Sequence, residues 1–216
     1  MILARGFDLE RSSREFANEL TQLLNRTICK GVRLSAVYDA QKQFTVIGYG
    51  ISKENRDPRV GIPISRPVNS PTFLSIFVLL KPDSANKFLM VDTSLVLLAR
   101  DKELSQELFH YDYERDKGDG YPEAHLQICA DSEDWRALGP DRALKKLHLP
   151  VGGRRFRPSL EDIIEFLIVE NFAEGLDGWK AAVDAGREAF QMKQLKAAVR
   201  KYPEEALDVL KAEGHI

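Results

Sequence analysis

Two cysteines, Cys29 and Cys129, stand a hundred residues apart in a chain of 216. No C-x-x-C pair and no Cys/His zinc spacing accompanies them, which argues against a disulfide framework and against a structural zinc site. The longest apolar run, within "FLSIFVLL" at 73–80, falls well short of the ~20 residues that span a bilayer. The start "MILARGFDLERSSREF" lacks a basic flank followed by a long apolar stretch, the pattern of an export signal. Reduced thiols in a cytoplasm, with no membrane insertion, are the expectation. Charge of one sign is also missing. The formal net charge is -2 and the pI about 6.1, so a polyanion site has to come from local segregation of charge. No G-x-x-x-x-G-K-[ST] and no G-x-G-x-x-G is present, which removes the two common glycine-rich phosphate cradles. Serine and cysteine nucleophile motifs are absent too, and Cys129 reads as a small core residue rather than a reactive thiol.

What is present is an ordinary folding composition, 44% hydrophobic and 30% charged, enough for one sizeable core. "SSREFANELTQLLNRTI" carries Phe16, Leu20, Leu23 and Leu24 at helical spacing, with Ser12 or Ser13 as candidate cap. After Gly31 the sequence alternates apolar and polar around "DAQKQ", predicting a hairpin with strands near 32–38 and 43–49. Prolines at 58, 63 and 67 mark a long loop. Further strands are expected at 72–80, 87–100, 108–114 and 124–130, joined by loops too short for parallel crossovers.

Beyond these strands the pattern is helical. Short helical turns fit "SEDWRALG" and "PDRALKKL". Longer helices are expected near 160–173 and along the Ala-rich tail, where Trp179, Val183, Phe190, Leu195 and Val199 follow a helical period. Pro203 suits the first turn of a last helix and Gly214 its end. The fold class is therefore α+β: an N-terminal helix, a curved antiparallel meander of about six strands, and C-terminal helices packed on it. Residues 1–174 form the sheet domain and 175–216 a helical appendage packed on the same domain.

The stretch "LHLPVGGRRFRPSLEDIIEFL" at 147–167 holds two different things. Ser159 and Asp162 make a capping box after Pro158, and Ile163, Ile164, Leu167 and Ile168 form a docking face. Before them lies a basic cluster. Arg136, Arg142, Lys145, Lys146, Arg154, Arg155 and Arg157 face a single acid, Asp141, across 136–157, whereas 159–216 has seven basic and twelve acidic residues. Arginines beside a helix N-terminus suit a phosphate or carboxylate, because guanidinium forks bind bidentately. The alternative is that Arg154, Arg155 and Arg157 pair with neighbouring carboxylates such as Asp112 or Glu161, or lie in water.

The hairpin "FHYDYERDKGDGYPEAHLQI" supplies the second constellation. Matching the apolar faces Phe109/Tyr111/Tyr113 and Leu126/Ile128 puts His110, Asp112, His125 and Gln127 together on the other surface, with His148 of "LHLP" near it. His110 and His125 could cleave a phosphodiester without metal, one imidazole accepting the 2′-OH proton and the other protonating the leaving oxygen. Two histidines and an aspartate could also ligate a transition metal. Equally, strand histidines can simply hydrogen-bond a carboxylate or carbonyl.

"YDYERDKGDGYPEAHLQICA" and "LHLPVGGRRFRPSLEDIIEFLIVE" together resemble a family of uncharacterised actinobacterial proteins that carry Y-D-Y, P-x-A-H-L-Q and then L-H-L-P-V-G-G-R-R-F-R-P. The resemblance runs over about 108–170 and implies an actinobacterial type of protein with the same sheet. More loosely, strands followed by a histidine-bearing hairpin and "SLEDIIEFL" are similar to TumE-type toxin proteins of toxin-antitoxin pairs, without their dense histidine run. Two functional expectations result. One is an RNA-binding or anionic-ligand-binding module using Arg154, Arg155, Arg157, Asp112, Gln127 and His148, with His110 and His125 as catalytic residues and no metal or cofactor. The other is a non-catalytic interaction module that binds a protein partner, or a second copy of itself, through its C-terminal helices.

Overall fold

The computed structural model describes residues 7–65, 71–118, 120–139, 144–153 and 157–216. Helix α1 (Leu9–Thr27) starts a few residues before the expected Ser12/Ser13 boundary, because the Asp8 carboxylate accepts from the Arg11 amide and caps it there. Ser13 is instead buried inside the helix face. The face turned inward carries Ala17, Leu23 and Leu24, the i, i+6, i+7 spacing of one helical stripe.

Among the described residues eight antiparallel strands follow: β1 (Leu34–Asp39), β2 (Phe44–Tyr49), β3 (Ile62–Pro63), β4 (Phe73–Pro82), β5 (Leu89–Ala99), β6 (Glu107–Glu114), β7 (Ala124–Ile128) and β8 (Leu149–Pro150). The sheet order is β1-β2-β4-β5-β6-β7-β8, with β3 pairing β4. The strand count exceeds the expected six because β3 and β8 are two residues each, too short to show alternation. In β4, Leu74, Ile76, Val78 and Leu80 are buried while Phe73, Ser75, Phe77 and Leu79 are half-buried. That period-two pattern belongs to a sheet covered by helices on one face.

Between β7 and β8 lie the short helix α2 (Glu133–Ala137) and a 3₁₀ turn at Leu144–Lys146. Helix α3 (Leu160–Val169) then starts with the capping box, since the Ser159 hydroxyl accepts from the Asp162 amide and the Asp162 carboxylate accepts from the Ser159 amide. Its Ile163, Ile164 and Leu167 enter the main core with Leu24 and Ile28 of the α1 end and Ile47, Leu74, Leu80 and Leu98 of the sheet. Helix α4 (Trp179–Lys201) docks at its start through Ala182 and Val183, and Trp179 packs on the core. Arg187 fixes it to α3: Nε donates to Asp162 Oδ1 at 2.9 Å and Nη2 to Glu165. Helix α5 (Pro203–Ala212) begins with Pro203 as expected and buries nothing. Among the described residues, no helix is long and apolar enough to cross a membrane.

Candidate functional site

The β6–β7 register is Phe109↔Ile128, His110↔Gln127, Tyr111↔Leu126 and Asp112↔His125. Phe109 and Tyr111 lie on the helix side, where Phe109 meets the rings of Phe166 and Phe172. His110, Asp112, His125 and Gln127 therefore share the opposite face of the sheet. β8 pairs β7 with His125↔Pro150 and Leu126↔Leu149. Continuing that register by one step sets His148 across from Gln127, on the same face. Ring contacts agree: centroids of His125 and His148 are 4.6 Å apart, those of His110 and His125 6.3 Å, and Tyr121 lies 4.5 Å from His148.

Each imidazole sits in a different environment. The His110 Nδ1 meets the Glu107 carboxylate. A carboxylate there holds the proton on Nδ1 and leaves Nε2 as the acceptor. His125 is 1% exposed; its Nδ1 faces the Pro122 carbonyl oxygen at 3.4 Å and its Nε2 faces Asp112 Oδ2 at 3.7 Å. Burial lowers the His125 pKa, with the Pro122 carbonyl and Asp112 countering it only in part. Burial likewise raises the Asp112 pKa. His148 is half-buried, and among the described residues its Nδ1 is a buried atom without a hydrogen-bond partner. Leaving such an atom unpaired costs about 1–3 kcal/mol.

The rim adds polar groups, of which Glu107 and Lys117 were not singled out in the sequence. Glu107 orients His110, and the Gln127 amide donates to the Lys145 carbonyl at 2.6 Å, tying the 3₁₀ turn to the strand. Lys117 Nζ lies 5.8 Å from the Tyr121 ring centroid. A spacing of three from His110 would put Glu107 on the opposite face of a regular strand, and the bulge after Leu98 in the β5–β6 pairing turns it toward that ring. Cys129 is exposed rather than part of the core. Burial of its sulfur and the Glu107 carboxylate push its pKa up to about 11, so it is a protonated thiol at neutral pH and a poor nucleophile.

The arginines are placed differently. Arg154 and Arg155 lie outside the described residues. Arg157 stacks on the Tyr113 ring at 4.2 Å. It lines a groove of about 470 Å³ whose other walls include Leu20, Val96, Ile163 and Phe190. This is the helix side of the sheet, opposite the histidines. Among the described residues, neither of the expected carboxylates meets it. Asp112 is on the other face with His125, and Glu161 sits against the Gly186 backbone of α4. Burial lowers the Arg157 pKa.

No group of three His, Cys, Asp or Glu side chains among the described residues has the geometry to hold a metal ion. What the face offers is an imidazole row with one hydrogen-bond acceptor set by Glu107, and Lys117, paired with Glu114 at 3.2 Å, at its edge. Compared whole with protein-family models, curated proteins and solved structures, the chain matches none of them, and a functional reading rests on this geometry.

Proposed function

We propose that the histidine-bearing face of β6, β7 and β8 recognises a phosphate-bearing partner, RNA foremost, and cleaves it by acid–base chemistry without a metal. The observation that carries this reading is the row His110, His125 and His148, with the His110 Nδ1 held by Glu107 so that its Nε2 is the acceptor. In the proposed reaction His110 Nε2 accepts the 2′-hydroxyl proton, and the oxygen attacks the adjacent phosphorus. The bond to the 5′-oxygen breaks and an imidazolium returns a proton to that oxygen. His148, less enclosed than His125, is the acid that a substrate can reach. His125 and Asp112 hold the row in place. Lys145, with Arg154 and Arg155, supplies the positive field for the phosphates.

Binding of a fluorescent RNA oligonucleotide, measured by anisotropy at low and at high salt, tests the reading. Affinity should fall steeply with salt, because each neutralised phosphate releases counterions. His110→Asn should abolish cleavage while binding persists, and RNA carrying 2′-deoxy substitutions should bind without being cut. Absence of RNA binding at low salt, or cleavage untouched by His110→Asn and His148→Asn together, sinks the proposal.

A further inference from the structure

The last turns of α4 and all of α5 present apolar side chains that the described residues leave exposed. Met192, Leu195 and Val199 are 46%, 56% and 44% exposed, and Leu207 and Leu210 are 47% and 39% exposed. The first three follow each other at three and four residues, and the last two at three. Each set forms one stripe along its helix. Contiguous exposed apolar stripes of this kind mark interaction sites.

Charge is divided between the same two helices. From Met192 to Lys201 the chain carries Lys193, Lys196, Arg200 and Lys201 and no acid, whereas α5 carries Glu204, Glu205 and Asp208 against Lys211. Lys193 is held by Glu19 of α1, and the Arg200 guanidinium lies over the Phe88 ring at 4.0 Å. Lys196 and Lys201 form no ion pair among the described residues, and neither do Glu204, Glu205 and Asp208. The two helices cannot neutralise each other within one chain, because they meet only weakly past the break at Tyr202 (φ -130°, ψ 65°).

We infer that a second copy of this chain covers this surface, with α5 of each protomer lying across the end of α4 of its partner about a two-fold axis. An isologous contact of this kind uses each surface twice. The basic α4 end meets the acidic α5 and the apolar stripes close on one another, in both halves at once. This is independent of the histidine face, which lies on the other side of the sheet.

A charge-exchange experiment on the full chain tests it by light scattering after size-exclusion chromatography, at about 1 μM to about 100 μM. The wild type should approach twice the 24.5 kDa chain mass. Lys196→Glu with Lys201→Glu should be monomeric, as should Glu204→Lys with Glu205→Lys, because each homodimer then sets like charges together twice. Mixing the two variants should restore the dimer, since both contacts of the heterodimer are again opposite in sign. All substituted positions are exposed, and an unchanged circular dichroism spectrum shows that the fold persists. A wild type that stays monomeric throughout, or a dimer that neither charge variant weakens, overturns the inference.

Discussion

His125 Nε2 lies 3.7 Å from Asp112 Oδ2 while the opposite ring nitrogen faces the Pro122 carbonyl at 3.4 Å. A neutral imidazole has one N–H for two acceptors. With that proton on Nδ1, Nε2 and the carboxylate confront each other unless a proton lies between them. The site is buried, and burial lowers the His125 pKa from 6.5 and raises that of Asp112 from 3.8.

The sign for stability follows from linkage. A histidine with a depressed folded pKa contributes stability that is present above the ordinary value and lost as pH falls through the folded one. Asp112 acts in the opposite sense, contributing stability that is present below its ordinary value and lost as pH rises through the raised one. NMR titration should place His125 below 6.5, and Asp112→Asn should lower it further by removing the one charge that favours the imidazolium. An elevated value in the wild type would contradict this environment.

Arg187 joins α4 to α3 through Asp162 and Glu165, with Lys180 also on Glu165 at 2.8 Å. Burial pushes the Asp162 pKa up, but the Ser159 amide and Arg187 outweigh it and hold the carboxyl below its usual range. Arg187→Ala should lower stability by about 1 kcal/mol, since the pairs are partly exposed and screened. That corresponds to about 2–4 °C in melting temperature. The loss should shrink in high salt and vanish at acid pH, where Asp162 is protonated in wild type and variant alike. A thermal melt series over salt and pH reads both.

Arg157→Ala removes a cation–π contact with Tyr113 on the helix side. The expected cost is about 1–2 kcal/mol in chemical denaturation. RNA affinity should be unchanged within error, whereas Arg154→Ala with Arg155→Ala should weaken it and flatten its salt dependence. Equal effects of the two changes on RNA binding would place the binding surface elsewhere than the histidine face.

Ile164 and Leu167 are both 0% exposed, and α3 docks through them. Ile164→Ala should cost about 2–5 kcal/mol, the loss of transfer energy plus a cavity. Gly61→Ala should also be costly, for the opposite reason. Its Cβ would come within 2.6 Å of Phe73 Cβ and 3.2 Å of the Lys102 carbonyl, and overpacking of this kind costs about 1–3 kcal/mol. Denaturant midpoints at constant slope measure both.

Local chemistry was legible in the sequence wherever neighbours in the chain are neighbours in space. The Ser159/Asp162 capping box, Pro203 at the start of α5 and the facing of β6 and β7 are of this type. The facing of the two strands could be read because a one-residue slip would turn every side chain over, whereas the pairing of Tyr111 with Leu126 comes from the structure. The opening of α1 was misplaced, since Asp8 and Ser12/Ser13 are equally good caps and burial of Ser13 decides between them.

The sequence by itself determined the α+β class, the antiparallel strands, and the gathering of His110, Asp112, His125 and Gln127 on one surface, because these depend on periodicity and short loops. Only the tertiary structure decided on which side Arg157 lies, that Glu107 turns to His110, and that Leu195, Val199 and Leu207 stay exposed. Those outcomes depend on long-range packing: α1 and α3 pack on one sheet face, a bulge re-aims one side chain, and α4 runs on past its buried start at Ala182 and Val183. No sequence period carries that information.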